Sequence, residues 1–172
     1  MANSISFIIP GKPQGKARPR FTRGGKGVRT YTPATTQSYE DLVRYTALTA
    51  RRQAQIKKPI SCDMALMIKA YFEVPKSFSK KRRQECLSGF ERPSKKPDSD
   101  NIAKIILDGL NPKMKLNHVL HKAECVHEGL YSDDRQVVEL HVEKWYSKTP
   151  RVEIVASWND GNGKDEDRNQ NE

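Results

Sequence analysis

Cysteine is scarce in this chain of 172 residues: Cys62, Cys86 and Cys125 are odd in number, widely spaced and form no CxxC pair. A disulfide framework is therefore not expected, and a reducing compartment suits the chain. Long apolar runs are missing as well. Nothing approaches the length of a membrane span, and the N-terminal stretch from Met1 to Ile9 lacks a cleavable hydrophobic region. The expectation is a soluble, cytosolic protein with no membrane partner. The length fits one domain and leaves little room for a second.

Acidic residues are absent where they are most conspicuous. Residues 11–33 contain Lys12, Lys16, Arg18, Arg20, Arg23, Lys26 and Arg29 without one Asp or Glu. The formal net charge is +10, and residues 159–172 hold five acidic residues against two basic ones, so residues 1–158 carry +13. A body this basic repels itself, and a polyanionic partner is the usual compensation. Charge narrows that partner to nucleic acid without saying which.

Periodicity orders the rest. Ser4–Ile9 is expected as a first strand, closed by Pro10-Gly11. Three prolines (Pro13, Pro19, Pro33) and the Gly24-Gly25-Lys26-Gly27 cluster exclude a helix from the basic segment, leaving a long loop or a hairpin arm ending at Val28–Tyr31. Thr35 or Thr36 should cap a helix running to about Lys57. Cys62, Met64, Leu66, Ile68, Ala70 and Phe72 alternate as in a half-buried strand, and Ser77 or Ser79 opens a short basic helix. Residues 100–110 predict a helix ended by Gly109, Asn111 and Pro112. Residues 112–130 give no regular pattern. Val137–Trp145 and Arg151–Trp158 are expected as a hairpin around Thr149-Pro150. The polar tail 159–172 is expected to be disordered, beyond a folded domain of residues 1–158.

Two acidic motifs stand out against this background. In Lys96-Pro97-Asp98-Ser99-Asp100-Asn101, Asp98 lies at the entrance to the predicted helix, and Asp100, Lys104 and Asp108 follow at intervals of four on one face. The pair Asp133-Asp134 precedes a strand. If a turn carried that pair to the start of the helix, four carboxylates would crowd together and repel unless a cation bridged them. Hard divalent ions such as Mg²⁺ take carboxylate oxygens together with substrate phosphate, and two of them can drive phosphodiester hydrolysis. Lys104 could then neutralise charge building on the phosphate. Taken separately, each motif is also what a helix cap or a turn before a strand would look like. Their combination in a basic chain favours the metal site.

Gly11-x3-Gly15-Lys16 superficially suggests a phosphate-binding P-loop. It is one residue short, lacks Ser or Thr after the lysine and leads into Arg18-Pro19-Arg20 rather than a helix. The better reading is an arm that contacts nucleic-acid phosphates through Lys12, Lys16, Arg18, Arg20 and Arg23, with Phe21 or Tyr31 available for stacking.

The sequence resembles the RusA-type endodeoxyribonucleases, the Holliday junction resolvases of bacteria and their prophages. Three segments carry the likeness, in order. They are Ile8-Ile9-Pro10-Gly11-Lys12-Pro13 with Lys16–Arg20 and Tyr31-Thr32-Pro33, then Lys96–Asn101 with Lys104 and Asp108, and Tyr131–Val138 with Lys144. The resemblance spans residues 5–158. It implies a single α/β (α+β) domain with a mixed sheet flanked by helices. It also implies a homodimer that nicks opposed strands of a four-way junction using Mg²⁺, with Mn²⁺ as an alternative. Asp98, Asp100 and Asp134 would be the catalytic metal ligands, Lys104 the lysine beside them, and Asp133 and Asp108 further acidic positions. Two rival readings are a non-catalytic basic nucleic-acid-binding protein and a nuclease for other branched DNA. The segment 111–130 is longer than the family's usual connection. Its His118, His121, Cys125 and His127 are zinc-ligand types, but their spacing fits no common structural zinc pattern, so zinc is not expected.

Overall fold

The computed structural model describes residues 2–24, 27–117, 119 and 121–159. The expected tail falls almost wholly outside them, as does His118. Among these residues the chain forms one mixed four-stranded sheet carrying helices, with two hairpins outside it. The sheet consists of β1 (Ala2–Pro10), β8 (Arg151–Asn159), β4 (Met64–Glu73) and β7 (Val137–Ser147), in that spatial order.

The alternation in β4 behaves as the sequence predicts. Met64, Leu66, Ile68, Ala70 and Phe72 are buried, while the residues between them are half-exposed. Across the sheet, Ile5, Phe7 and Ile9 of β1 and Val152, Ile154, Ala156 and Trp158 of β8 are buried in the same core. Two helices supply the other layer of that core. α1 (Ala34–Gln53) contributes Tyr39, Val43 and Ala47, and α3 (Ser99–Leu110) contributes Ile102, Ile105, Ile106 and Leu110. Each fully buried Ile or Leu contributes roughly 1.5–3 kcal/mol relative to exposure, so this layer is what fixes α3 in place.

Several expectations need correction. α1 starts at Ala34 with Pro33 at its cap position, so neither Thr35 nor Thr36 caps it. The Pro33 carbonyl accepts from the Thr36 and Gln37 N–H groups, and Thr36 is buried inside the first turn. β7 and β8 do not form a hairpin: β4 runs between them, parallel to β7 and antiparallel to β8. The three residues 148–150 can span about 10 Å when extended, which is enough to step across one intervening strand. Residues 112–130 are not irregular. They hold the hairpin β5 (Lys113–Asn117) and β6 (Lys122–His127), almost wholly exposed, whose mixture of charged and apolar residues hides its period. The basic arm is the hairpin β2 (Arg20–Gly24) and β3 (Gly27–Tyr31). The basic helix α2 (Lys80–Leu87) begins where predicted, with the Ser79 hydroxyl accepting from the Arg82 N–H at 3.3 Å.

Gly109 is no terminator either. It lies inside α3 and is buried where α1 crosses, and a Cβ there would meet Val43 Cβ and Cγ1 at 2.7 Å. The helix stops at Asn111, whose backbone is extended. Gly109→Ala should gain about 1 kcal/mol of helix propensity yet destabilise the protein by about 1–2 kcal/mol net through overpacking. Urea unfolding of the two proteins checks this.

Candidate active site

α3 is amphipathic as its spacing predicts. Ile102, Ala103, Ile105, Ile106 and Gly109 are buried, Asp100 and Lys104 are exposed on the opposite side, and Asp108 is half-buried. Asp98 occupies the cap position, yet its side chain makes no capping bond; only its backbone carbonyl accepts, from the Ile102 N–H at 3.1 Å. Asp98 therefore does not serve as an ordinary side-chain cap. Its carboxylate is exposed, as is that of Asp100 in the first turn, where the helix dipole favours negative charge.

The basic loop before β2 packs onto this motif. The Lys16 N–H donates to the Asn101 carbonyl at 2.9 Å, and a Cβ on Gly15 would lie 2.7 Å from Pro97 Cβ. Lys16 then extends along α3 and forms ion pairs with Asp108 (2.7 Å) and with Glu40 of α1. Burial opposes its charge, but the hydrogen bonds to Asp108 and Glu40 outweigh that, and its pKa lies above the ordinary value of 10.5. Lys16 thus faces two carboxylates of its own chain. Arg18, Arg20 and Arg23 are exposed on the arm, with Phe21 72% and Tyr31 47% exposed beside them.

Behind Asp98 stands Lys144 of β7. Its Nζ donates to the Lys95 carbonyl at 2.5 Å and lies 5.7 Å from the Phe72 ring. Burial holds its pKa below the ordinary range, and the nearby Asp98 carboxylate pulls the other way. Next to it opens a cleft of about 460 Å³ lined by Lys12, Lys76, Lys95 and Lys96 together with Phe72 and Glu73. The sequence singled out Lys12 as a phosphate contact and Lys96 as part of the acidic motif, but not Lys76 or Lys95. The adjacent pair just before Pro97-Asp98 was the available signal.

Asp134 lies elsewhere. It opens the 3-10 turn Asp134–Gln136 ahead of β7, and its Oδ2 accepts from Asn111 Nδ2 at 3.1 Å, at the far end of α3. Tyr131 is fully buried beside it and donates to the Leu107 carbonyl at 3.0 Å. Burial raises its pKa, and the charges of Asp134, Asp108 and Asp133 add to the effect. Asp133 accepts from the Arg135 side chain and backbone and takes part in a capping box with Gln136. The Arg135 hydrogen bonds hold its carboxyl below the usual range.

α3 therefore runs antiparallel to β7, with its start beside Lys144 and its end beside Asp134. Its 12 residues, at about 1.5 Å each, separate the two ends by roughly 18 Å. The expected turn carrying Asp133-Asp134 to the start of the helix does not occur in one chain. Among the described residues, no group of three or more His, Cys, Asp or Glu side chains is arranged to hold a metal ion. The oxygen donors suit Mg²⁺ chemically. Their placement within a single chain does not complete a site for it. His121, Cys125 and His127 sit exposed on the β5–β6 hairpin.

Comparison with known proteins agrees with the likeness in the sequence. The profile of the family described as "Endodeoxyribonuclease RusA" matches residues 10–118 and 120–156. The chain belongs to the RusA endodeoxyribonuclease family, a family of nucleases that act on branched DNA. It is also 36% identical over 154 residues to "Uncharacterized protein YqaN" from Bacillus subtilis (strain 168), covering 88% of this chain and 94% of that one. No helix among the described residues is long and apolar enough to cross a membrane.

The Lys16 bridges yield a stability prediction. Lys16→Met leaves two partly buried carboxylates unpaired and should cost about 2 kcal/mol, between the values for surface and buried pairs. Because the folded-state pKa of Lys16 is raised, its contribution is full below pH 10.5 and declines as the pH rises beyond that. Denaturation of both proteins at pH 8 and pH 11 should show the gap narrowing.

Proposed function

We propose that this protein is a Mg²⁺-dependent, structure-selective endonuclease that resolves four-way DNA junctions by paired nicks, acting as a homodimer in the cytoplasm of a bacterial host. The observation that carries this reading is the pair of exposed carboxylates, Asp98 and Asp100, at the start of α3. Neither makes a side-chain hydrogen bond there, and the lysine cleft lies beside them.

The reaction is hydrolysis of a phosphodiester: water adds to phosphorus, one P–O bond of the backbone breaks, and the leaving oxygen takes up a proton. Bound Mg²⁺ would supply charge neutralisation and an acidified water, and Asp98 and Asp100 are the carboxylates that one chain offers it together at the start of α3. The other roles fall to the chain itself. Lys104, exposed one turn beyond Asp100, would meet charge developing on the phosphate. Lys12, Lys76, Lys95 and Lys96 attract the backbone of the strand entering the cleft. Lys144 braces the Lys95–Asp98 segment from below. Arg18, Arg20 and Arg23 extend the phosphate contacts along the arm, with Phe21 available for stacking. Lys16, Asp108 and Asp133 support the site by holding its frame.

Asp100→Asn should abolish Mg²⁺-dependent nicking of a synthetic four-way junction while leaving junction affinity within about twofold, since the basic surface is untouched. Wild-type cleavage by that variant would overturn the assignment. A panel of flaps, forks, linear duplex and single strands separates junction resolution from action on other branched DNA and from binding without cleavage. The double change Arg20→Ala and Arg23→Ala should weaken binding to all substrates alike. It should reduce the slope of log affinity against log salt by about 1.8, the value for two lost phosphate contacts.

A further inference from the structure

Phosphate contacts account for holding DNA, but every duplex presents the same phosphates, so they cannot select a branch. A branch differs from duplex in one chemical respect: the base pairs that border it have faces without a stacking neighbour. We propose that the hairpin β5–β6 is the element that reads those faces. Its apolar side lies on the bordering base pairs while its lysines meet the adjoining phosphates. The inference rests on the branched-DNA reading above and deepens it.

The register gives the hairpin two unlike faces, because residues directly opposite in an antiparallel pair share a face. Met114 lies opposite Cys125 and Leu116 opposite Ala123, which makes one face apolar. Lys115 lies opposite Glu124 and Asn117 opposite Lys122, which makes the other polar. Met114 and Leu116 are 53% and 51% exposed, and Val119 at the tip is 87% exposed. Among the described residues, these two strands pair only with each other. An isolated two-stranded ribbon is marginally stable at best in water. A partner that covers its apolar face is the natural compensation.

The feet of the hairpin are fixed to the core. Gly129 is pressed against the Leu110 carbonyl and the Pro112 nitrogen, where a Cβ would come within 2.3 and 2.7 Å. Buried Arg51 of α1 donates to the Gly129 carbonyl at 2.7 Å and pairs with Glu128. Lys113 reaches Asp41 of the same helix at 2.8 Å. Asn111, just before the first foot, donates to Asp134 at 3.1 Å, so the root borders the acidic turn. At the other end, the Asn117 side chain accepts from the Val119 N–H at 3.0 Å and donates to Glu124 at 2.9 Å, which shapes the tip. A blade held at both ends can press against stacked bases without folding back.

Charge decides the partner. β5 and β6 carry Lys113, Lys115 and Lys122 against Glu124 alone, so a polyanion suits them. An apolar face beside cations matches open base faces beside phosphates, and Met and Leu are among the side chains able to wedge between base steps. A second copy of the chain would instead bring the same excess of positive charge against itself.

The test places 2-aminopurine, a base that fluoresces when unstacked, at the branch of a synthetic four-way junction or in the middle of one arm. Binding is measured without divalent metal, so that nothing is cut. The wild type should raise the branch signal and leave the arm signal unchanged. The double change Met114→Thr and Leu116→Thr removes the apolar face but keeps residues that favour strands. It should lose most of the branch signal and about tenfold of the preference for junction over linear duplex. Its affinity for duplex should stay within about twofold, since the lysines remain. Wild-type signal and preference in that variant would sink the inference, as would a wild type that leaves the branch stacked. Leu116→Thr alone takes its place should circular dichroism show the double variant unfolded, and an unchanged preference there counts equally against the hairpin. If the threonine variant sediments as a smaller species than the wild type, a second copy covers the face and the inference falls. Nicking with Mg²⁺ is scored separately. Hairpin-dependent unstacking by a wild type that never nicks supports the hairpin and rejects the nuclease reading alone. Normal unstacking and nicking by the threonine variant reject the hairpin alone.

Discussion

The arrangement turns on Lys16. Its backbone N–H is tied to Asn101 at the start of α3, and its ammonium lies between Glu40 of α1 and Asp108 one helical stretch further on. One residue thus clamps a loop rich in prolines and cations across two helices. The clamp, with buried Pro13 and the close packing of Gly15 on Pro97, orders a loop whose exposed Lys12, Arg18 and Arg20 repel one another. The arm, the lysine cleft and the acidic motif share a common frame because of it.

The frame also explains why α3 tolerates exposed acids. An isolated helix of 12 residues is marginal in water, so its stability comes from the buried isoleucine face and from Gly109, which lets α1 approach closely. With those contacts fixing the helix, Asp98 and Asp100 need contribute nothing to its capping. Carboxylates left unsatisfied by their own chain are the ones available to a cation. Asp133 is the contrary case: its bonds to Arg135 and the capping box make it part of the turn that carries Asp134.

Much of this was legible beforehand, for identifiable reasons. The amphipathic stripe of α3, the alternation of β4 and the Ser79 cap are local patterns, and each appears in the structure. The placement of β4 between β7 and β8 was not legible, since pairing across the sheet depends on contacts far apart in sequence. The hairpin at 113–127 escaped because both faces are exposed and no hydrophobic period marks it. The contacts of Lys16 were hidden for a similar reason. In a run of seven cations nothing distinguishes the one that will meet Glu40 and Asp108, and only the fold brings those partners near. The acidic residues were found by type and spacing, but spacing along a chain could not reveal that α3 would hold them apart.

That separation has a physical logic. Four carboxylates gathered in one small protomer would repel one another until a cation arrived, and the chain would bear that cost during folding. Dividing them between the two ends of a helix removes that repulsion from the folding chain. Asp98 and Asp100 stay exposed at one end, and Asp134 accepts a hydrogen bond from Asn111 at the other, so the buried isoleucine face of α3 is what keeps the two acidic groups apart.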